Sequence, residues 1–250
     1  MTGQIRVEVT GGVCCVTIDR PAKKNSLTQA MYAGLADIIE QSAADPAVRC
    51  LLLTGSADVF CAGNDIGEFQ GRPPEDPDSP PPSKRFYFGL ASFEKPIVAA
   101  VPGLAIGIGC TMLLHADIIY AVPEARFRLP FVDLGVVPEL GSSLLMPGLV
   151  GRHRAAELMF LGEFFDATAA REMGFVNRIV DRGELLATAM ATAVDLTRKP
   201  VEALRATKRL LRQDMPALLR RMEEEREIFA ERLVSAETQA IMANVLKSKR

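Results

Sequence analysis

Alternating apolar and polar residues near the N-terminus predict a β-hairpin. The alternation covers residues 5–10, a glycine pair at positions 11 and 12 supplies a two-residue turn, and residues 13–19 continue as a second β-rich run. After a polar loop at residues 22–27, Thr28 precedes apolar residues at helical spacing, which stop near Asp45-Pro46. We therefore expect the hairpin to be followed by a helix that Thr28 caps.

Further along the chain, short apolar runs alternate with helical patterns. The predicted strands are residues 49–54, 96–101, 116–121 and 176–180. The predicted helices are residues 85–94 and 109–115, residues 140–162 divided at Gly148 and Gly151, and a short helix opened by Asp166 or Thr168. This alternation predicts a mixed α/β fold with parallel strands.

Two segments depart from this alternation. From Gly183 onward the pattern is helical, interrupted at Pro200 and Pro216, and an amphipathic tail of this kind packs against another surface. Residues 71–83 are rich in proline, aspartate and glycine and have no apolar face, so they predict a surface loop. This loop is either a lid over a substrate channel or a tolerated insertion.

Composition narrows the functional class. The 250 residues are 48% apolar, enough for a sizeable core, and 29 basic against 31 acidic residues give a formal charge of −2. This balance does not indicate a nucleic-acid or membrane surface. Five cysteines without metal-ligand or disulfide spacing, and a start without a signal pattern, lead us to expect a soluble cytoplasmic protein with reduced thiols and no metal site.

Two features between residues 95 and 143 carry candidate chemistry. Gly107-Ile108-Gly109 lies between a strand-like run and a helix-like segment, where glycine lets main-chain N–H groups approach a ligand. Glu139 lies among apolar neighbours at another glycine-bearing turn. An acid in such a position is either exposed at a bend or held for proton transfer.

Four motifs, in their order and spacing, resemble the enoyl-CoA hydratase/isomerase family, also called the crotonase family. They are FCAGNDIGEF at residues 60–69, AIGIGC at 105–110, ADIIYA at 116–121 and VPELGSS at 137–143. The similarity covers nearly the whole chain. It implies an α/β crotonase-like spiral of repeated β-β-α units over residues 1–195. It also implies a helical region over residues 196–250 that covers the active site and builds a homotrimer or a dimer of trimers.

The resemblance implies one electrostatic device: two backbone N–H groups polarise the thioester carbonyl of an acyl-CoA and stabilise the enolate that forms. Motif matching assigns these donors to Asn64, which follows Ala62-Gly63, and to Ile108 between its two glycines. Because the donors are backbone groups, the Asn and Ile side chains do not remove them. Acyl-CoA is then the substrate, and no separate cofactor is implied.

The proton-transfer residues decide which reaction the family resemblance predicts. Hydratases of this family use two glutamates, and Thr111 and Phe131 occupy those positions here. Glu139 instead matches the single carboxylate of the family's Δ3,Δ2-enoyl-CoA isomerases, so we expect a one-base 1,3 proton shift. A hydratase or another crotonase-type reaction, such as thioester hydrolysis or C–C cleavage, is the alternative, and a catalytically poor acyl-CoA-binding subunit is a third.

The remaining substrate contacts also follow from the resemblance. Lys23 and Lys24 match the family position near the nucleotide end of CoA, and Lys208 is a second basic candidate. The other expected contacts are Ala22, Ser26, Leu27, Ala62, Gly63, Asp65, Ile66, Ile106, Gly107, Phe131 and Pro138.

Several other polar residues have a structural or secondary interpretation. Asp65 fixes its loop, Glu68 is a fallback second acid, and Asp133 ranks below it. His115 lies on an apolar face and is interpreted as a hydrogen-bonded core residue, and His153 lies at a basic helix start.

Overall fold

The structure is a computed structural model that describes residues 4–69, 81–212 and 214–248. Its strands form two β-sheets. The six-stranded sheet contains β1 (Ile5–Thr10), β2 (Val13–Ile18), β3 (Cys50–Gly55), β5 (Ile97–Val101), β7 (Ile118–Ala121) and β10 (Arg178–Ile179), in that spatial order. The four-stranded sheet contains β4 (Val59–Cys61), β6 (Leu104–Ile106), β8 (Arg126–Arg128) and β9 (Phe165–Asp166). All neighbouring strands are parallel except β1 with β2 and β8 with β9.

Helices connect these strands and then form the C-terminal part of the chain. They are α1 (Gln29–Ala44), α2 (Pro82–Ser92), α3 (Ile108–Thr111), α4 (Ser142–Val150), α5 (Arg152–Leu161), α6 (Ala167–Glu172), α7 (Leu185–Thr197), α8 (Val201–Leu211), α9 (Met215–Leu233) and α10 (Ala236–Ser248). Short 3₁₀ turns add Pro21–Lys23, Ile66–Glu68, Met112–His115 and Val132–Leu134. Within the described residues, no helix is long and apolar enough to cross a membrane.

From β3 to β8, successive strands alternate between the two sheets. β3 belongs to the large sheet and β4 to the small one, and the pairs β5-β6 and β7-β8 repeat that order. Helix α2 follows the first pair and α3 the second, so the chain winds as repeated β-β-α units. The predicted α/β spiral with parallel strands is therefore confirmed.

The N-terminal predictions are confirmed in detail. β1 and β2 pair antiparallel around the glycine turn, and both turn glycines have positive φ, as a two-residue hairpin loop requires. The Thr28 side chain accepts a hydrogen bond from Met31 N at 3.2 Å and caps α1. β3 and β5 are almost entirely buried, as expected for parallel strands covered on both faces, and α7 packs against both.

Several predicted boundaries are wrong. The segment 140–162 divides only at Gly151, because Gly148 lies inside α4, and α4 begins at Ser142 rather than at Leu140. Asp166, not Thr168, caps α6 by accepting from Ala169 N at 2.8 Å. A break between α9 and α10 was not predicted. The predicted surface loop at residues 71–83, either a lid or a tolerated insertion, falls mainly on residues 71–80, which lie outside the described residues.

Candidate active site

Two glycine-bearing loops meet where β4 and β6 end side by side. A Cβ atom built on Gly63 would lie 3.1 Å from the Ile106 carbonyl oxygen, and one built on Gly109 would lie 2.2 Å from the Cys61 carbonyl oxygen. Gly63 and Gly107 also have φ of +95° and +56°, a region that side-chain-bearing residues rarely adopt. Glycine at these positions therefore lets the two loops approach each other.

The two backbone amides predicted as oxyanion donors lie in these loops. Neither Asn64 N nor Ile108 N donates a hydrogen bond within the described part of the chain, whereas Asp65 N donates to Leu27 O at 2.9 Å. Asn64 and Ile108 both line one cavity of about 490 Å³. Two amides without an internal acceptor thus lie on the wall of a cavity large enough for a ligand.

Glu139 lines the same cavity from a different part of the fold. It lies in the turn between the 3₁₀ turn Val132–Leu134 and α4, and its residue is only 5% exposed. Leu140 and Gly141 follow with φ of +61° and +71°, so two left-handed residues reverse the chain directly after the acid. The His115 Nε2 lies 2.9 Å from Leu140 O and holds this turn, which confirms His115 as a hydrogen-bonded core residue.

The electrostatic environment of Glu139 favours the neutral acid. The pKa of Glu139 is raised to about 7, mainly by burial and also by the nearby Glu225 carboxyl, while the Tyr87 hydrogen bond and the nearby Asn64 side chain oppose the increase. The α4 N-terminus does not offset burial, because Glu225 itself accepts from Gly141 N at 2.6 Å and from Ser143 N at 2.9 Å. Desolvation therefore outweighs the helix dipole at this position.

Two buried tyrosines join Glu139 to the first glycine loop. Tyr87 donates to Glu139 Oε2 at 2.7 Å, Tyr32 donates to Asn64 Oδ1 at 2.5 Å, and the two hydroxyl oxygens lie 3.3 Å apart. The other carboxyl oxygen, Glu139 Oε1, is buried and has no hydrogen-bond partner in the described part of the chain.

The sequence analysis did not assign a function to either tyrosine. Tyr32 lies on the apolar face of α1, and Tyr87 lies between two phenylalanines in α2. A phenol at such a position usually brings its hydroxyl to a buried acceptor, and this was the available signal.

The structure brings most of the predicted contact residues together. The predicted residues that line the cavity are Lys24, Ala62, Gly63, Asn64, Ile66, Ile106, Gly107, Ile108, Phe131 and Glu139. Those that do not line it are Ala22, Lys23, Ser26, Leu27, Asp65, Pro138 and Lys208. Asp65 fixes its loop as expected, accepting from Gly67 N at 3.1 Å and pairing with Arg20 at 2.7 Å.

Lys208 is placed differently from its prediction as a CoA ligand. Its side chain is 6% exposed, and its ammonium donates to Asp117 Oδ2 and to Lys95 O, each at 2.7 Å. Burial lowers the pKa of Lys208 to about 8. This lysine connects α8 to the large sheet, so its position in this structure does not support the predicted contact with a CoA phosphate.

The other acids near the cavity form polar contacts with other residues. Glu68 is exposed and accepts from Gln29 N at 2.7 Å at the start of α1, and Asp133 pairs with Arg128 at 2.8 Å. Thr111 is fully buried in α3. Among the described residues, Glu139 is therefore the one buried carboxylate that lines the cavity.

Two amides and one buried acid around a shared cavity define a class of site that can stabilise an oxyanion and transfer a proton. Comparison with known proteins agrees with this class. A profile of the enoyl-CoA hydratase/isomerase family matches residues 8–247, and the chain belongs to that family.

Individual relatives cover most of the molecule. The enoyl-CoA hydratase/isomerase of Pseudoalteromonas atlantica T6c superposes with a TM-score of 0.93 at 39% identity, covering 98% of this chain and 97% of that one. The 1,2-epoxyphenylacetyl-CoA isomerase of Escherichia coli K12 is 38% identical over 205 residues, 78% of this chain and 77% of the relative. The 2,3-dehydroadipyl-CoA hydratase of the same organism is 32% identical over 220 residues, 87% of this chain and 85% of the relative.

Proposed function

We propose that this protein isomerises 3-enoyl-CoA thioesters to trans-2-enoyl-CoA thioesters with Glu139 as the single acid and base. The observation that carries the proposal is one buried carboxylate, with Oε1 unpartnered in the described part of the chain, on a residue that lines the same cavity as Asn64 and Ile108, whose amides have no acceptor there. A 1,3 proton shift requires one base and an oxyanion stabiliser, and the site contains one of each.

The proposed isomerisation conserves all atoms and electrons and requires no cofactor. The two amides hold the thioester oxygen while ionised Glu139 removes a proton from C2, which forms an enolate. The protonated carboxyl then returns that proton at C4, and the double bond moves to C2–C3. Because the pKa of Glu139 is raised to about 7, the carboxyl can change its protonation state near neutral pH, which suits a group that first accepts and then donates.

CoA recognition is proposed to involve Lys24, which lines the cavity and can approach an anionic phosphate. Among the relatives, one is named a 1,2-epoxyphenylacetyl-CoA isomerase, which is an isomerase of a CoA ester.

Hydration of a 2-enoyl-CoA is the second candidate, because several relatives are named hydratases. Adding water requires a group that activates the water and a group that protonates carbon. The family positions for the two hydratase glutamates hold Thr111 and Phe131, so the residues favour the isomerase.

The proposal is tested with two substrates and two variants. Purified protein should convert a 3-enoyl-CoA to a conjugated product, followed by ultraviolet absorbance, and should hydrate a 2-enoyl-CoA slowly. Glu139→Gln should reduce isomerisation by about 10²–10⁴-fold, the usual contribution of a positioned acid or base, while acyl-CoA still binds in calorimetry.

Glu68→Gln is the matched control, since Glu68 is an exposed acid next to the same glycine loop. It should retain the wild-type rate. Preferential hydration, or full isomerase activity in Glu139→Gln, would overturn the assignment. Acyl-CoA binding without turnover of either substrate would instead identify a binding subunit.

We further infer that the chain assembles as a homotrimer or a dimer of trimers. Large apolar side chains remain exposed on the single chain, with Leu210 at 85%, Leu211 at 81% and Phe160 at 69%. Exposed apolar surface of this kind is typical of a protein interface.

A further inference from the structure

Glu139 is held at one oxygen only. Tyr87 from α2 donates to Oε2 at 2.7 Å, and Oε1 is buried without a partner in the described part of the chain. The Tyr87 ring is fixed by aromatic packing, with its centroid 5.7 Å from that of Tyr32 and 6.0 Å from that of Phe86. The two oxygens of one carboxyl group therefore have different environments.

The donor and the acceptor in each of these hydrogen bonds follow from the number of protons on the two phenols. Glu139, when ionised, and Asn64 Oδ1 can only accept, so Tyr87 donates to the acid and Tyr32 to the amide. Each phenol has one proton, and both protons are then used. When Glu139 receives a proton on Oε1, Tyr87 can still donate to Oε2, and no hydrogen bond is lost during the transfer.

We propose that Tyr87 is a positioning residue that keeps Oε2 out of the reaction and assigns both proton transfers to Oε1 of Glu139. This inference rests on the proposed function, in which Glu139 is the base. The same oxygen then takes the proton from C2 and returns it at C4, without rotation of the carboxyl group between the two steps.

Other charged and titratable groups also surround Glu139. Glu225 of α9 raises the pKa of Glu139, the Glu139 carboxyl in turn raises the pKa of Tyr32 in α1, and the neutral His115 bonds the carbonyl of the following residue. Lys84 and Arg226 line a small cavity of about 40 Å³ next to Glu139, and both pair with Glu223. The charged groups that line the larger cavity with it are Lys24, Arg128 and Asp133. Tyr87 donates a hydrogen bond to Oε2 of Glu139 at 2.7 Å, and the nearby Asn64 side chain also favours the ionised carboxyl.

Tyr87→Phe removes the hydroxyl and retains the ring, so the pH profile reports the hydrogen bond. Because Tyr87 stabilises ionised Glu139, its loss should move the acid limb of kcat/KM upward from about 7 by about one pH unit. That shift lowers kcat/KM at pH 7 by about fivefold, and the rate should recover to within about twofold of wild type at pH 9.

A second measurement follows the ionisation of the Glu139 carboxyl in the absence of substrate. The carboxyl stretch in infrared difference spectra, wild type minus Glu139→Gln, should titrate about one unit higher when both proteins carry Tyr87→Phe. If wild type fails to isomerise but this titration still shifts, the proposed function fails and the coupling of Tyr87 to Glu139 stands.

Tyr120→Phe is the matched control. Tyr120 is 5% exposed and bonds Thr192 at 2.9 Å in the large sheet, so the change also removes a buried phenol bond. It should leave the pH profile in place. An unshifted titration of Glu139 in Tyr87→Phe, or a rate lowered equally at every pH, would overturn the inference.

Discussion

At the scale of single residues, burial of Glu139, the proposed acid and base, lowers the stability of the folded protein at higher pH. Its carboxyl is buried, and its pKa is raised from the ordinary 4.5 to about 7. The native state therefore holds a proton that the unfolded chain has already released between these two pH values. Stability is lost as pH rises through 7, which is the sign expected for a carboxyl whose folded pKa is raised.

Glu139→Gln should accordingly stabilise the protein at alkaline pH. Relative to wild type, its free energy of unfolding should increase by on the order of 2 kcal/mol between pH 5 and pH 8, because glutamine does not ionise. Urea unfolding at both pH values measures this difference. A stability difference that stays constant across that range would show that Glu139 is not a titrating buried acid.

The residue scale also shows what the sequence could predict. Asn64, Ile108 and Glu139 lie in motifs that are contiguous in the chain, and the structure brings them to one cavity. Tyr87 acts on a residue 52 positions away, and no local pattern contains that contact. Lys208 was predicted as a CoA ligand, but it is a buried residue that pairs with Asp117. A lysine on an amphipathic helix is usually exposed, so the sequence pattern did not indicate this ion pair.

At the scale of elements, the close approach of α3 to β4 sets the position of the second glycine loop. The Gly109 Cα faces the backbone of Cys61 at the end of β4, with no space for a methyl group. The sequence did not reveal the small sheet that makes this contact, because its strands have two or three residues and are too short to show a period. The longer strands and helices were predicted because their patterns repeat.

Gly109→Ala should destabilise the fold and separate the loops. A Cβ there would lie 2.2 Å from the Cys61 carbonyl oxygen, so the backbone must move, and overpacking of this kind costs about 1–3 kcal/mol or more. Turnover should fall more than stability suggests, since Ile108 N lies in the displaced segment. Thermal melts and steady-state kinetics measure the two effects.

Gly34→Ala in α1 provides the matched substitution. Nothing lies within 4 Å of a Cβ at Gly34, and alanine is favoured over glycine in a helix, so the change should stabilise by about 0.5–1 kcal/mol. If both substitutions had the same effect on stability, the close packing at Gly109 would not be the cause.

At the scale of the whole molecule, the C-terminal helices close the cavity that the spiral opens. In α10, Thr238 donates to Gly135 O at 2.7 Å, and Met242 and Val245 line the cavity wall. The sequence predicted amphipathic helices that pack against a surface, and the structure shows that this surface includes the site of the same chain. The assignment of residues 196–250 to a C-terminal helical region separate from the spiral core stays a prediction.

The proposed assembly has a direct test. Light scattering should give three or six times the 27.1 kDa of one chain. Among the described residues, Leu210 and Leu211 are the most exposed large apolar side chains, and replacing both with lysine should shift the mass towards the single chain because charges oppose burial. A wild-type protein with the mass of one chain would contradict the proposal.

Cys61 lies at the end of β4, fully buried, and its sulfur is engaged with Gly63. Burial raises the pKa of its thiol to about 12, and the pKa of the buried Cys110 is raised as well. The conjugated thioester expected as product is an electrophile that alkylates thiolates. Because burial keeps both thiols protonated, we expect that neither sulfur would be alkylated by the product of the proposed reaction.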